Sequence, residues 1–496
     1  MAEIFRNYID GEWRETLTGR TFESVNPARK SEVIGTFQRS GQEDIVAAVD
    51  AAARAARTWR EVPAPERGEM LYTVARLLEE RKEELAQLMT REMGKVLKEA
   101  RGDVQEAIDM AKYIAGEGRR YFGQTVPSEL RQKFCMTVRQ PLGVVGLITP
   151  WNFPIAIPSW KLLPALLCGN AVVLKPAEDT PACATRLVEV FIEAGVPRGV
   201  LNLVTGYGQE AGQPLLDDPR VAAISFTGSS EVGRFIGATC GQNLKRVSLE
   251  LGGKNAIVVM GDADLDLVLD GAVWGGFGTT GQRCTASSRL IVERPLLREV
   301  QERLVARAEA LAVGDGLRPE VEVGPLINGK QLERVHGYTG IGRAEGARVL
   351  TGGRILSEGE WGDGFFYAPT VFGDVDPRMR VAQEEIFGPS VSVIPADSFE
   401  NALEIANGTR YGLSLAIYTR DVNRAFRAID SLEAGIVYVN APTIGAEIQL
   451  PFGGIKGTGN GHREAGTTAI EQFSEIKSVF VDYSGTLQRA QIDNRE

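Results

Sequence analysis

Cys284 is the residue whose setting most favours covalent chemistry. It follows Arg283 and comes after a glycine-rich run at residues 275–278, which allows a ligand to approach the backbone closely. A neighbouring positive charge favours the thiolate, and the pKa of a free cysteine is about 8.5. The pattern predicts a nucleophilic thiol, with a buried structural cysteine as the alternative. The other cysteines lie in apolar or helical surroundings and are predicted to be structural: Cys135, Cys168, Cys183 and Cys240.

Two polar residues stand where catalysis needs a base and a hydrogen-bond donor. Glu250 ends an apolar strand before a glycine turn, so a partly desolvated carboxylate there would act as a general base, or else it would pair with Lys254. Asn152 lies in a turn fixed by Pro150 and Pro154, where its amide can donate to a developing oxyanion. Capping of the local turn is the commoner role of such an asparagine.

A second group of residues has the pattern of a phosphate and ribose site. Residues 226–233 follow a predicted strand and open a helix, so their backbone N–H groups can receive a phosphate. The run is not a GxGxxG fingerprint, and similar turns occur in proteins that bind nothing there. Lys175 closes another strand, and Glu178 is placed to accept hydrogen bonds from ribose hydroxyls. For both residues an ordinary solvated strand end is the alternative.

These residues depend on elements that the sequence also predicts. From about Gly143, short apolar runs alternate with capped helices, which is the pattern of a parallel sheet flanked by helices. Strands are predicted at residues 144–149, 171–175, 200–205, 222–226 and 247–251, with helices beginning near Pro181, Gln209 and Ser230. Residues 256–311 repeat the alternation and predict a second α/β unit. Ser40 and Glu43 predict a capping box that opens an N-terminal helix.

Composition narrows the class of protein. The net charge of −10 and pI near 5.2 repel phosphate backbones and anionic membranes, so we expect neither nucleic acid nor a membrane as a partner. Five cysteines without a CxxC and a charged N-terminus favour the cytoplasm, and two distant histidines supply neither a metal site nor a Ser-His-Asp triad. Residues 141–160 carry no charge, but Pro150, Pro154 and Pro158 predict a buried strand and turn rather than a membrane helix.

Taken in order, these segments closely resemble the aldehyde dehydrogenase superfamily along nearly the whole chain. The residues that carry the resemblance are Pro150-Trp151-Asn152-Phe153-Pro154, Lys175-Pro176-Ala177-Glu178, Phe226-Thr227-Gly228-Ser229, Leu249-Glu250-Leu251-Gly252-Gly253-Lys254, Gly281-Gln282-Arg283-Cys284, Glu385-Ile386-Phe387-Gly388-Pro389 and Pro451-Phe452-Gly453-Gly454. Seven matches in the family's order are a specific signal.

The resemblance implies a role for each residue of the predicted catalytic group. Cys284 is the nucleophile, Asn152 and the Cys284 backbone N–H form the oxyanion hole, and Glu250 is the general base that activates water. A thiohemiacetal would lose hydride to a nicotinamide ring and leave a thioester, which water would release as the acid. A carboxylate for this work needs a pKa raised by burial.

The resemblance also implies an NAD site, with NADP as the alternative. Lys175 and Glu178 resemble ligands of the adenine ribose, and Gly228, Ser229 and Gly233 resemble the pyrophosphate turn. The remaining cofactor residues are Thr149, Pro150, Trp151, Phe226, Leu251, Glu385 and Phe387, of which Glu385 and Phe387 resemble a clamp on the nicotinamide ribose. A carboxylate at Glu178 repels a 2′-phosphate and so favours NAD.

The implied fold is α/β and aldehyde dehydrogenase-like. It has a Rossmann-like NAD(P)-binding domain at residues 1–121 and 143–252, a catalytic α/β domain at 253–447, and a β oligomerisation arm at 122–142 and 470–496. The alternating tail at residues 475–483 agrees with such an arm and predicts an edge strand that pairs with another chain. We therefore expect a homodimer or homotetramer.

The implied substrate is a small aldehyde. The run Thr458-Gly459-Asn460-Gly461-His462-Arg463-Glu464 carries one residue more than the commoner family signature, and with Arg283 it resembles the branch that oxidises carboxylated semialdehydes, particularly 2-oxoglutaric semialdehyde (2,5-dioxopentanoate). Arg283 can pair with a substrate carboxylate or phosphate, lie against an acidic neighbour, or tune the thiol. Phe153 and Trp160 resemble pocket-wall positions, with plain core residues as the alternative, and Thr285 is a further candidate pocket residue.

Four alternatives stay open at this stage. Within the same chemistry, the chain is a broad-range aldehyde dehydrogenase or a nonphosphorylating glyceraldehyde-3-phosphate dehydrogenase. An acylating enzyme that passes the thioester to coenzyme A is disfavoured by Glu250, because a hydrolytic base serves only when water is the acceptor. A non-catalytic structural protein on this scaffold, as the family's lens crystallins illustrate, is disfavoured by the intact set of Cys284, Glu250 and Asn152.

Overall fold

The structure, a computed structural model, describes residues 3–493. Residues 1, 2 and 494–496, which the predicted NAD(P)-binding domain and oligomerisation arm include, lie outside the described residues. Two large sheets, each covered by helices on both faces, form most of the chain, and a smaller antiparallel sheet projects from them.

The strands and helices are as follows. The strands are β1 Glu3–Ile4, β2 Asn7–Ile9, β3 Glu12–Arg14, β4 Thr21–Asn26, β5 Arg29–Gln38, β6 Thr125–Pro127, β7 Lys133–Pro141, β8 Val144–Ile148, β9 Ala171–Lys175, β10 Leu201–Leu203, β11 Val221–Thr227, β12 Arg246–Glu250, β13 Ala256–Val259, β14 Arg289–Glu293, β15 Arg348–Thr351, β16 Ile355–Leu356, β17 Phe366–Tyr367, β18 Thr370–Gly373, β19 Ser390–Ala396, β20 Tyr411–Gly412, β21 Ser414–Tyr418, β22 Ile436–Val439, β23 Ile455–Lys456 and β24 Ser474–Asp482. The helices are α1 Gln42–Trp59, α2 Ala64–Glu80, α3 Lys82–Met93, α4 Leu97–Glu117, α5 Ala156–Leu167, α6 Pro181–Glu193, α7 Gln213–Asp217, α8 Ser230–Gln242, α9 Leu265–Phe277, α10 Leu297–Ala310, α11 Gly329–Ala344, α12 Arg380–Gln383, α13 Phe399–Asn407, α14 Val422–Ser431 and α15 Thr468–Gln472.

The first large sheet contains all five strands that the sequence predicts. Its strand order is β12-β11-β8-β9-β10-β2-β3, and β12 through β10 run parallel. Every residue of β9 is buried, as expected for a parallel strand with helices on both sides. Separate apolar cores fill the two faces, so the carboxyl ends of the strands are left at one edge for a ligand.

The second large sheet is separate from the first, which confirms the prediction of a second α/β unit. Its order is β15-β18-β19-β14-β13-β21-β22, and all neighbours except β15 and β18 are parallel. The chain passes from β12 of the first sheet to β13 of the second through only five residues, 251–255. This short connection brings the carboxyl end of β12 beside the second unit.

One of the smaller sheets has the order β24-β7-β6 and is antiparallel. Strand β24 coincides with the alternating tail that the sequence predicts to be a strand. It pairs with β7 along its whole length, from Ser474 opposite Pro141 to Asp482 opposite Lys133. Its other edge pairs with no strand of the described chain.

Two helix starts differ from the sequence predictions. Helix α1 begins at Gln42 with Gly41 as its N-cap, and the Asp44 carboxylate accepts the Gly41 N–H at 3.0 Å, while Ser40 accepts a hydrogen bond from Asn7 instead. The predicted capping box at Ser40 is therefore displaced by one residue. The prediction of a buried strand and turn over residues 141–160 is wrong at its end, because residues 156–160 form the start of α5. Pro158 stands in the first turn of that helix, where its missing N–H breaks no helical hydrogen bond.

A fully buried ion pair fixes the entrance to α5. The Lys95 Nζ lies 2.8 Å from Asp103 Oδ2 on α4, and both side chains are inaccessible to solvent. Asp103 Oδ1 also accepts the Ala156 N–H at 2.7 Å, so one carboxylate binds both a cation and the start of α5. The turn at residues 150–155 is thereby held against α4. Within residues 3–493, no helix is long and apolar enough to cross a membrane.

Candidate active site

The predicted catalytic and cofactor residues meet where the two large sheets adjoin. A cavity of about 190 Å³ is lined by Pro150, Trp151, Asn152, Ile157, Thr227, Gly228, Ser229, Leu251, Gly252, Cys284, Gln331, Arg334, Glu385 and Phe387. Asn152 follows β8 and Gly228 follows β11 in the first sheet, whereas Cys284 comes from the second unit after α9. The cavity thus combines residues that are up to 237 positions apart, from Pro150 to Phe387.

Asn152 joins the two halves of the site. Its side chain is buried, and its Nδ2 donates to the Gln282 carbonyl at 3.0 Å, two residues before Cys284. An asparagine amide carries two N–H donors, so a second one remains for a ligand. The turn-capping alternative is not what the structure shows, because the partner of Asn152 lies in another unit of the chain.

The loop that carries Cys284 has an unusual backbone. Thr279 and Thr280 adopt positive φ angles of 51° and 57°, a conformation that costs non-glycine residues about 1–3 kcal/mol each. The Glu99 carboxylate accepts the Thr279 N–H at 2.8 and 3.0 Å and compensates for that strain. Gly281 also has a positive φ of 66°, and a Cβ there would stand 2.1 Å from the Gly388 carbonyl oxygen, so only glycine fits.

Asn255 anchors the same loop from the side of the short connection. Its Nδ2 donates to the Cys284 carbonyl at 2.8 Å and to the Ala286 carbonyl at 3.0 Å, while its Oδ1 accepts the Ser414 N–H at 3.1 Å. All hydrogen-bonding groups of this buried amide are therefore used. Sequence reasoning missed Asn255, although its place two residues after the glycine pair was a usable signal.

The predicted lowering of the Cys284 pKa by Arg283 is wrong for this state of the protein. Burial first, and then the charges of Glu250 and Glu385, raise the pKa of the Cys284 thiol to about 12. Arg283 has no such effect because its guanidinium turns to Glu99, with Nη2 at 3.0 Å from Glu99 Oε1 and Nε at 2.9 Å from Thr279 Oγ1. Of the three roles considered for Arg283, the acidic neighbour is the contact observed.

Glu250 is desolvated, as a general base in this position would need to be. Its side chain is 3% exposed, and neither carboxyl oxygen has a hydrogen-bond partner among the described residues. Burial, followed by the nearby Glu464 charge, raises its pKa well above the usual range. The alternative pairing with Lys254 is absent, since the Lys254 Nζ also lacks a partner within residues 3–493.

A second buried charge pair stands beside Glu250. Lys161 contacts the Glu464 carboxylate and donates to Ser225 Oγ at 2.8 Å, and the Lys161 charge acts to lower the pKa of Glu250. Sequence reasoning did not assign a role to Lys161. The signal was present, because Lys161 is the first charge after a 20-residue uncharged run at residues 141–160.

The predicted phosphate turn has the geometry of an anion site. Ser229 is the N-cap of α8, and its hydroxyl accepts the Val232 N–H at 3.3 Å. A Cβ on Gly233 would stand 2.2 Å from Leu251, so glycine is required for this close packing. The hydroxyls of Thr227 and Ser230 are buried and have no hydrogen-bond partner in the described chain. These unpaired groups and the N-terminus of α8 fit a ligand that carries phosphates.

The other cofactor candidates fall into two groups. Glu385 and Phe387 lie in the same cavity as Cys284; Glu385 Oε1 accepts the Gly253 N–H at 2.8 Å, and the Phe387 ring meets Trp151 edge-on at 5.4 Å. The second group does not line that cavity: Thr149, Lys175, Glu178, Phe226 and Gly233. Within it, Lys175 Nζ lies 3.2 Å from Glu178 Oε2, an ion pair at the end of β9.

The four candidate substrate residues do not share one pocket. Phe153 and Arg283 line a different cavity of about 840 Å³. Trp160 is buried and packs edge-on against Phe452 at 5.1 Å, and Thr285 uses its carbonyl to accept the Thr443 hydroxyl at 2.6 Å. Each of the last two residues therefore has a packing or structural contact. In the described part of the chain, no group of three or more His, Cys, Asp or Glu residues is arranged to hold a metal.

Comparisons with known proteins agree with this geometry. The sequence profile of the Aldehyde dehydrogenase family matches residues 13–479. The alpha-ketoglutaric semialdehyde dehydrogenase of Bacillus subtilis (strain 168) is 43% identical over 477 residues, which is 96% of this chain and 98% of that protein. The alpha-ketoglutarate semialdehyde dehydrogenase of Haloferax volcanii is 44% identical over 97% of this chain and 100% of its own. The solved NAD⁺ complex of an aldehyde dehydrogenase from Bacillus cereus has a TM-score of 0.94 at 39% identity, with 97% of each chain covered.

Removing the Asn255 amide should displace the nucleophile without unfolding the protein. For Asn255→Ala we expect aldehyde turnover to fall about 100-fold, because misplacing a reacting group by about 1 Å costs that much. Steady-state kinetics measures the loss, and the thermal unfolding midpoint reports whether the fold is kept. Asn243→Ala, at the exposed end of α8, is the matched control and should keep full turnover. Undiminished turnover in a folded Asn255→Ala would contradict the anchoring role.

The raised pKa of Cys284 predicts the pH dependence of its alkylation. Below a pKa of about 12 the thiolate fraction rises about tenfold per pH unit, so iodoacetamide should react slowly at pH 7 and progressively faster through pH 10. Mass spectrometry of the Cys284 peptide gives the rate. The Cys284→Ala variant reports the background from the other four cysteines, all of them buried. A rate that levels off below pH 8 would show that the thiol is already ionised.

Proposed function

The chain belongs to the aldehyde dehydrogenase family, and we propose that its substrate is a carboxylated semialdehyde, 2-oxoglutaric semialdehyde, which it oxidises to the dicarboxylic acid with NAD. As a member of this family it is an NAD(P)-dependent oxidoreductase that acts on aldehydes. The observation that carries the proposal is that Cys284 and Asn152 share one cavity with Glu385, while the desolvated Glu250 is close enough to raise the pKa of Cys284. The substrate follows from the named activities of the two relatives.

Cys284 acts as the nucleophile in this proposal. The thiol gives its proton to water, and its sulfur then forms a bond to the aldehyde carbon while the C=O π bond opens and the oxygen becomes an oxyanion. The free N–H of Asn152 and the backbone N–H of Cys284 stabilise that oxyanion. Because Asn152 is already held by Gln282, its amide needs no reorganisation when the charge develops.

Glu250 is the base for the second half of the reaction. It takes a proton from water, whose oxygen attacks the thioester carbon and releases the acid and the Cys284 thiolate. A carboxyl with a raised pKa is a stronger base than one in water, so burial suits Glu250 to this step. The ion pair of Lys161 and Glu464 keeps the charge around Glu250 balanced.

The residues present fit NAD. Thr227, Ser230 and the N-terminus of α8 would receive its phosphates, Lys175 and Glu178 its adenine ribose, and Glu385 its second ribose. When bound, NAD supplies the acceptor for the hydride that leaves the substrate carbon. The Glu178 carboxylate would lie against the 2′-phosphate of NADP, which favours NAD.

We further propose a cytoplasmic homo-oligomer built through the arm formed by β6, β7 and β24. The free state of all five cysteines agrees with a reducing compartment. Apolar side chains stand exposed on β24 and beside it, namely Ile476, Phe480, Val481 and Tyr483, each at least 45% exposed. An unpaired strand edge with apolar side chains is a ready surface for a second copy of the chain. We also propose the domain division predicted from the sequence, with an NAD(P)-binding domain at residues 1–121 and 143–252, a catalytic domain at 253–447 and the arm at 122–142 and 470–496.

The substrate proposal predicts a strong preference in kcat/KM. With NAD, we expect 2-oxoglutaric semialdehyde to exceed glyceraldehyde-3-phosphate and pentanal by at least about tenfold, since a buried hydrogen bond to a charged group is worth that much. Reduced-nicotinamide absorbance measures the rates, with NADP in parallel. Cys284→Ala should be inactive, and Glu250→Gln should release the acid slowly. Equal rates with pentanal would make this a broad-range enzyme, and no turnover with any aldehyde would favour a structural role.

The assembly proposal predicts a mass above that of one 53.8 kDa chain. Light scattering should give a multiple of that mass, and Ile476→Glu with Phe480→Glu should reduce it to a single chain, because two charges would enter an apolar contact. Leu17→Glu, at an equally exposed apolar residue outside the arm, is the control and should leave the mass unchanged. A monomeric wild type would refute this role of the arm.

A further inference from the structure

A second cavity of the described chain begins one residue away from the catalytic pair. Cys284 and Asn152 line the small cavity, whereas their chain neighbours Arg283 and Phe153 line a cavity of about 840 Å³. The two cavities are therefore lined by neighbouring residues of the same two stretches of chain, 152–153 and 283–284. None of the proposed catalytic or cofactor residues lines the larger cavity.

Phe153, which lines the cavity, has two cations near its ring, the buried Lys95 and the cavity-lining Arg283. Lys95 Nζ lies 3.8 Å and the Arg283 guanidinium 5.5 Å from the centre of the Phe153 ring. Lys95 is closed off from solvent in its ion pair with Asp103, whereas the Arg283 side chain is 12% exposed and lines the cavity. Of the five N–H donors of a guanidinium, Glu99 and Thr279 accept two, which leaves three without an acceptor among the described residues.

Glu106 is, after Arg283, the second group in the cavity with hydrogen-bonding capacity that no described residue satisfies. It lies on α4, one turn after Asp103, and lines the same space as Arg283. Its carboxyl has no hydrogen bond or ion pair within the described part of the chain, in contrast to Glu99 and Asp103, which are both paired. A carboxyl that faces a cavity without a partner is available to a ligand.

We propose that Glu106 and Arg283 form the selectivity site for the far end of the substrate, where Arg283 and the acid form of Glu106 both donate hydrogen bonds to the substrate carboxylate. This inference rests on the proposed function and names residues that would carry its specificity. Substrate binding at this site depends on the protonation state of Glu106. The acid form of Glu106 binds a carboxylate, and its ionised form repels one.

The charges around Glu106 place this change near physiological pH. Burial and then Asp103 raise its pKa to about 8, with a smaller contribution from Asp109, while Lys95 and Arg283 act in the opposite direction. These groups face Glu106 from α4, from the segment before α4 and from the loop of Cys284. Below about pH 8 the acid form is dominant, and above it Glu106 becomes a carboxylate that competes with the substrate for Arg283.

The test compares two aldehydes of equal chain length, so that the titration of Cys284 and Glu250 cancels. The measured quantity is the ratio of kcat/KM for 2-oxoglutaric semialdehyde to that for pentanal, from pH 6.5 to about 9.5. In the wild type the ratio should be constant below about pH 8 and fall about tenfold above it, through KM of the carboxylated substrate.

Variants of Glu106 separate the proposal from a structural effect. Glu106→Gln keeps a donor but cannot ionise, so its ratio should no longer fall with pH. Glu106→Leu removes the donor and should lower the ratio about tenfold at pH 7 through KM rather than kcat. Glu322→Gln removes one negative charge from another part of the cavity wall and should keep the wild-type profile.

The outcomes distinguish this inference from the proposed function. A wild-type ratio near one at every pH would overturn the proposed substrate, and the selectivity site with it. A high ratio that falls equally in Glu106→Gln, or that survives in Glu106→Leu, would overturn the selectivity site alone.

Discussion

The hydrogen bonds of Asn255 are the constraint on which the candidate active site depends. The nucleophile lies in the second α/β unit, and the oxyanion donor and the base lie in the first. The two units must therefore keep a fixed position relative to each other. Asn255 stands at the end of the five-residue connection between β12 and β13 and holds the carbonyls of Cys284 and Ala286 with one amide. The same connection presents Gly253 to Glu385, so the nucleophile and a proposed cofactor residue share one support.

Burying the ionisable groups of the active site costs free energy, because these groups lose their contacts with water. Glu250 and Lys254 are buried without hydrogen-bond partners in the described chain, and the thiol of Cys284 is held in its neutral form by the same low-dielectric surroundings. Such groups destabilise the fold, and they concentrate where chemistry requires shifted pKa values. The free protein therefore keeps its nucleophile unreactive, and activation must come from whatever enters the cavity to change the charge around Cys284.

Sequence patterns predicted the elements that have strong periodicity and the residues that belong to short motifs. The five strands of the first sheet, the separate second unit and the strand near the C-terminus follow from local apolar runs. The direction of Arg283 and the anchoring by Asn255 did not follow, because both depend on contacts between distant residues. The partner of Arg283, Glu99, lies 184 positions earlier, and no spacing rule connects them.

The contacts around Glu250 also determine how much of the chain must be synthesised before the active site can be completed. The Leu251 N–H binds the Thr458 carbonyl at 2.7 Å, and the charge of Lys161 is matched by Glu464, so the surroundings of the base come from the last tenth of the chain. A nascent chain that has emerged only as far as β22 can complete both large sheets, since domains generally fold as units during translation. It would still bury Lys161 without its carboxylate. Because Leu251 and Lys161 find these partners only in residues 458–464, the surroundings of Glu250 are complete only once the C-terminal segment has docked.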